Sequence, residues 1–302
     1  MPSLVTTLRS LLRQADAHFE SDRLGRARSA FEVLLERSQE RSDRAMEVVA
    51  RTMLAHCHLR RHDPEAAREE LQHASQLMDP AHMESHARYR SVLARMVLHE
   101  GPKEVIEREL LEYLHWGETS GAHPQVVDAC LLLADHGDPQ ERELWLQRGI
   151  DHALDHQVHE PLGDAYTALA VLLDEQGQSE DGLEAYQQAL HWLRQSGTPR
   201  QVVASAWAVG AVACRLGDYP LARSRLDEAV AGAESAEESC ADLLALALAD
   251  LALVHEAAGD VVEARRLLIR SSALAREQDL PRYWPERWRT LLEHGKRLEL
   301  DL

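Results

Sequence analysis

Between Cys214 and Val230 the chain reads "CRLGDYPLARSRLDEAV", and related text precedes and follows it: "DEQGQSEDGLEAYQQAL" from Asp174 and "AAGDVVEARRLLIRS" from Ala257. In each copy a turn signal is followed by a small residue, a large residue, and a small residue, five, four and three positions apart. Anchoring the whole chain on that signature gives turns at Asp22, His62, Gly101, Gly137, Gly177, Gly217 and Gly259, with spacings of 40, 39, 36, 40, 40 and 42. No unit of that length buries its apolar face alone, so the period demands a stacked array whose core is completed by neighbours. Such an array also escapes the size limit on a single hydrophobic core.

Within each unit the turn separates two amphipathic helices. In the sixth, Gly210 and Ala213 before the turn and Ala222 and Ala229 after it allow close helix approach, with Val209 and Leu226 filling between them. The fifth repeats the scheme with Leu169, Ala170, Leu173, Gly182, Tyr186 and Ala189. The seventh uses Leu251, Ala252, Ala264 and Leu268, and the second Leu54, Ala55, Ala67, Leu71 and Ala74. Pro64, Pro102, Pro139 and Pro220 fall just after turn anchors, where a first-turn proline forfeits no intrahelical bond, and Pro80, Pro124, Pro161 and Pro199 fall between units. Leu, Ala, Arg and Glu dominate and β-branched residues form no alternating runs, so the chain reads as all-α.

The pattern resembles the tetratricopeptide repeat (TPR), whose signature has small residues at its eighth, twentieth and twenty-seventh positions and a bulky apolar residue at its twenty-fourth. The resemblance covers roughly residues 3 to 277, departs from the signature at Gln14 and Arg142, and is similar to the long-period arrays of kinesin light chains and MalT-like regulators. It implies a right-handed α-solenoid of about seven helix-turn-helix repeats in one superhelical domain over residues 1–302. The period stops after Gln278, and "DLPRYWPERWRTLLEHGKRLELDL" reads as a capping helix over about 282–300, with Trp284 and Trp288 on one face.

In the family, the first helix of each repeat lines a concave groove that takes peptides or protein segments. Carried over, the inward positions are Arg9, Leu12, Asp16 and Phe19, then Thr52, His56 and Arg60, then Arg88, Ser91, Arg95 and His99. The later repeats supply Asp164, Thr167, Val171 and Asp174, then Trp207, Ala211 and Arg215, then Leu246, Leu253 and Glu256. This implies Arg and His in the N-terminal half of the groove, and apolar and acidic groups with Trp207 in the C-terminal half. Arg88 and Arg95, seven residues apart on one helix face, are suited to a partner's acidic or C-terminal carboxylates; pairing with Glu inside the array is the competing use. Trp207 is either an interface anchor or a core residue between repeats. Lysine occurs only at Lys103 and Lys296 and asparagine nowhere, so neither the Lys/Asn carboxylate clamp nor the Asn ladder of some TPR grooves is available.

A net charge of −18, from 51 Asp+Glu against 33 Lys+Arg, argues against nucleic-acid and acidic-membrane partners. Arg9 and Arg13 interrupt the apolar run a signal peptide needs, no stretch approaches the ~20 apolar residues of a membrane span, and Cys57, Cys130, Cys214 and Cys240 form no C-x-x-C pair. A cytoplasmic chain with buried free thiols is expected. His152, His156 and His159 follow i, i+4, i+7 spacing, but Pro161 and Gly163 suggest a helix break near His159, and solvated or capping histidine is the plainer use. Catalytic fingerprints are absent. The expectation is therefore a non-catalytic protein-interaction module without cofactor or metal, with self-association open, and with a ligand- or peptide-sensing regulator as the alternative. A metal-dependent enzyme centred on His152 and His156 is a third class.

Overall fold

The computed structural model describes residues 7–20, 23–79, 81–236 and 240–301, so the turn residue Asp22 and Pro80 lie outside the described residues. Among the described residues there is no strand, and none of the helices is long and apolar enough to cross a membrane. The chain divides into two compact units, residues 1–152 and 153–302. The first holds α1 (Leu8–Glu20), α2 (Leu24–Glu40), α3 (Arg44–Arg60), α4 (Pro64–Leu77), α5 (Met83–Glu100), α6 (Lys103–Ser120) and α7 (His123–His136); the division falls inside α8 (Arg142–Asp155). The second holds α9 (Leu162–Glu175), α10 (Ser179–Ser196), α11 (Pro199–Leu216), α12 (Tyr219–Ser235), α13 (Ala241–Ala257), α14 (Val261–Glu277), α15 (Leu280–Tyr283) and α16 (Pro285–Arg297).

The turns explain why the hairpins form where they do. His62, Gly177, Gly217 and Gly259 all adopt the left-handed conformation (φ 59, 79, 81 and 81°), which reverses the chain at low steric cost where the residue is glycine. An aspartate follows three of them and caps the next helix: Asp63, Asp218 and Asp260 accept from the backbone N–H groups of Ala66, Leu221 and Glu263 at 3.2, 3.1 and 3.1 Å. The capping satisfies a donor that the first helical turn leaves unpaired. Gly101 behaves differently, because Pro102 excludes the helical region for the residue before it and holds it extended (φ −84°, ψ 147°). Gly137 is likewise outside the left-handed region, and α8 is entered through a 3₁₀ turn at Pro139–Glu141.

Packing follows the small-large-small signature. In the sixth repeat Val209, Ala213, Ala222, Leu226 and Ala229 are fully buried, as are Ala252, Ala264 and Leu268 in the seventh. A first apolar layer in the N-terminal unit joins Leu8, Leu12 and Ala15 to Phe31, Leu34, Met53 and Leu54; a second joins Leu59, Ala67 and Leu71 to Val92 and Met96. Successive hairpins thus share their cores rather than closing them.

The cap differs from the single helix expected. It is two pieces, α15 and α16, broken at Trp284 (φ −133°, ψ 64°), since the residue before Pro285 cannot remain helical without clash. The two tryptophans are therefore not on one helix face: Trp288 packs with Ala245, Ala275 and Leu280, while Trp284 is exposed in the joint.

Gly210 offers a direct check of the close-approach argument. A Cβ there would sit 2.6 Å from Leu226 Cγ, whereas one at Gly25 would meet nothing within 4 Å. Gly210→Ala is expected to destabilise by about 1–3 kcal/mol through overpacking, and Gly25→Ala to gain about 0.5 kcal/mol, both read from urea midpoints.

Candidate functional site

In the N-terminal unit, α1, α3 and α5 carry the arginines expected to meet a partner, and Arg88 and Arg95 stand together on α5. Both forks are already engaged by this chain's own aspartates. Arg88 donates to both Asp16 oxygens at 3.0 and 2.9 Å, and Arg95 to both Asp128 oxygens at 2.9 and 2.6 Å. Tyr113 and Ser91 also donate to Asp128 Oδ2, at 3.0 and 3.2 Å, and Arg95 reaches Ser91 Oγ at 2.7 Å. Burial works against the Arg95 charge, but the hydrogen bond and charge of Asp128 outweigh it and raise its pKa; burial and the Asp128 charge together raise that of Tyr113. The partners are aspartates on other first helices, Asp128 on the next one (α7) and Asp16 two repeats back (α1), not the glutamates that sequence reading favoured as internal competitors.

His56 lies beside this network. Its ring packs on Phe19 at 4.6 Å, and the Arg60 guanidinium lies 5.8 Å above the same phenyl ring. Burial, then the Arg95 and Arg60 charges, lower the His56 pKa to about 3, so the imidazole is neutral at physiological pH. Leu12 and Thr52, read as groove positions, are buried inside the unit. Arg9 is exposed, and the His99 side chain lies outside the described residues.

The C-terminal unit is organised differently. Asp164 accepts from Gln201 Nε2 at 3.0 Å, the Thr167 hydroxyl donates to the Gly163 carbonyl of its own helix at 2.8 Å, and Val171 is half-buried. Arg215 donates to both oxygens of Asp174 at 2.5 and 2.6 Å. Trp207 donates its indole N–H to Asp250 Oδ2 at 2.8 Å and stacks on Trp284 at 6.4 Å. It is therefore tied between repeats along one edge. Asp250 is buried, and that burial raises its pKa against the opposing pull of Arg287, 3.7 Å away, and of Trp207.

Arg215, Asp250 and Arg287 border a groove of about 640 Å³, within the size range of ligand sites. Its floor is Ala211, Leu253 and Ala257, its rim includes Tyr219, and Arg215, Arg287 and Arg297 face Asp250, Glu256 and Glu286 around it. Of these, Ala211, Arg215, Leu253 and Glu256 were legible as groove residues. Asp250 was missed although the sequence marked it: a carboxylate set amid the apolar run "LLALALADLALV" of residues 243–254. Arg287 and Arg297 were missed because their helix read only as a solvating cap.

Two other readings find geometry here. Beside the expected histidine set, the structure brings His123 Nδ1 to 3.1 Å from His152 Nε2. Helix α8 ends at Asp155, before His156, and His159 packs on Trp192 at 4.9 Å. Cys57, Cys130 and Cys214 are free thiols whose pKa burial raises to about 11, which makes them poor nucleophiles.

Comparison with known proteins agrees with this architecture. Residues 202–277 match the tetratricopeptide repeat family model. A signal-transduction ATPase with numerous domains from Pyrococcus horikoshii, described as having a tetratricopeptide repeat sensor, aligns over 98% of this chain at 13% identity and a TM-score of 0.68; this chain spans 44% of that protein. The apo form of RapI aligns over 97% of this chain and 86% of its own at 11% identity (TM-score 0.63), and the apo quorum sensor NprR from B. thuringiensis over 97% and 82% at 13% (TM-score 0.60). No curated protein sequence matches the chain. The fold is that of tetratricopeptide repeat proteins, and its sixth and seventh repeats carry the family's sequence pattern as well.

The Arg95–Asp128 pair is expected to show a double-mutant coupling of about 1–3 kcal/mol in chemical denaturation with alanine at each position. His56 gives a pH signature. With its folded pKa depressed, its contribution is fully present above the unfolded value of 6.5 and is lost as pH falls towards 3. Stability of the wild type should fall more steeply across that window than that of His56→Gln, and the His56 ring should show no protonation shift by NMR at pH 5.

Proposed function

We propose that this chain is a non-catalytic interaction module that holds a peptide or protein segment in the groove formed by α11, α13 and α16. The observation that carries the reading is the groove itself: an apolar floor at Leu253 bordered by three arginines and three carboxylates. A segment lying there can place one side chain on Leu253 and Ala211, give backbone carbonyls to arginine N–H groups, and give N–H groups to Glu256. Arginine thereby takes over the backbone-holding task that asparagine would perform, as a chain without asparagine requires.

An acidic or C-terminal carboxylate on the partner suits this end of the molecule better than the N-terminal unit. Arg88 and Arg95 would have to exchange a bidentate internal carboxylate for an external one, with little net gain. Arg297 keeps more than half its side chain exposed, and its nearest internal carboxylate, Glu256, is a single 3.3 Å contact. The strong negative charge disfavours nucleic acid and acidic membranes as partners, and the four free thiols suit a reducing, cytoplasmic setting. The sensor descriptions of the P. horikoshii protein and NprR support a second reading, in which the same groove takes a small ligand or short peptide as a signal.

The test is a fluorescence-anisotropy screen of random octapeptides, each made with a free carboxylate and as the amide. Binding to wild type that weakens at least ~10-fold, about 1.4 kcal/mol, in Leu253→Glu and in Arg215→Glu is the expected result, with free-carboxylate peptides preferred. Binders indifferent to both substitutions would place recognition elsewhere and overturn the assignment.

A further inference from the structure

Trp207 beside the groove and Glu256 on it are both contacted by residues 284–297 of the same chain. Trp284 stacks on Trp207, the Arg287 guanidinium lies 5.2 Å over the same indole, and Arg297 and His294 reach Glu256 at 3.3 and 2.8 Å. Residues 282–297 carry Arg282, Arg287, Arg289, Lys296 and Arg297 against Glu286 and Glu293, a basic stretch in an acidic chain, laid on carboxylates.

The attachment is weak for a helix in this position. Three of the thirteen residues of α16 are buried (Leu291, His294 and Gly295), whereas α13 beneath it buries ten of seventeen. A cavity of about 30 Å³ remains between them, bounded by Leu246, Ala275, Leu280, Trp288 and Leu291, so the apolar contact is incomplete. Buried His294 Nε2 approaches Glu256 without hydrogen-bond alignment. The segment also has two joints: Asp279 in the left-handed region (φ 54°), and Trp284, where Pro285 breaks the helix.

We propose that α16 is a hinged wall of the groove, swinging as a unit about Trp284, so that its docking on Asp250 and Glu256 regulates access to the groove. The inference rests on the groove reading. Arg287 and Arg297 belong both to the latch and to the rim, so a ligand carboxylate competes with Asp250 and Glu256 for the same guanidinium groups, and occupancy and docking are coupled. A cap that frays has no such coupling.

Hydrogen exchange of the full chain, read by mass spectrometry, separates the possibilities. Amides of residues 286–297 are expected to exchange at least ~10-fold faster than those of α13 and α14, as expected for a sub-global opening, and at a uniform rate along the helix. Arg287→Glu, which sets a carboxylate against Asp250, should raise that rate further and leave α11 and α12 unchanged. Protection equal to that of α13, or rates that rise steadily towards Leu298 as in fraying, would overturn the hinge. If opening is uniform and fast but no octapeptide binds, the hinge stands and the binding assignment fails; if peptides bind while α16 is as protected as α13, the reverse holds.

Discussion

Everything in this chain depends on two helices being able to touch. A hairpin of about thirty-five residues buries too little apolar surface to offset the conformational entropy of ordering it, so each must lend a face to the next. The crossings are built from Gly210 against Leu226, Gly163 against Leu193, and Gly149 against Cys130, where an added Cβ would fall 2.5–3.1 Å from the neighbour. Larger residues at these points would hold the backbones apart and open the contacts around Leu226, Leu193 and Cys130, all buried, to water.

Polar contacts then link the first helices of each unit, and their chemistry follows from composition. With no asparagine and two lysines among 51 acids, the side chains available to bridge are arginine and carboxylate. They occur at separations close to the repeat period: Asp174 with Arg215, Arg200 with Asp242, and Glu256 with Arg297. Trp207 to Asp250 follows the same register. Such half-exposed pairs contribute modestly to stability. Their larger consequence is that an inner surface rich in arginine presents few unengaged cations, so net composition overstates its appetite for anions.

The repeat was legible in the sequence because its determinants are local: turn residue, small residue, large residue, in fixed spacing. Val209, Ala213, Ala222, Leu226 and Ala229 read as core and are core. What escaped was pairing across repeats. Nothing in the spacing of Arg88 and Arg95 announces Asp16, 72 residues away from the first, or Asp128, 33 from the second, since the choice between an internal and an external carboxylate depends on which helices the fold brings side by side. His123 beside His152 was hidden for the same reason, as it comes from a different helix. Asp250 is the instructive case. An isolated carboxylate in an apolar helix is a visible anomaly, yet its partners, Trp207 and Arg287, lie 43 and 37 residues to either side.

Helix α16 differs from the helices inside the array in how little of it is buried. An interior first helix is clamped by hairpins on both sides, so its inner face is fixed by neighbours that cannot leave. Helix α16 buries three of its thirteen residues, and its inner residues, Arg287, Thr290 and Arg297, border the groove while its hold rests on Leu291, Trp288 and two ion pairs. Reduced burial lowers the free energy of local opening, and a wall that moves at modest free-energy cost can respond to what the groove contains. The sparse burial of α16 is therefore the feature on which the proposed coupling between groove and helix rests.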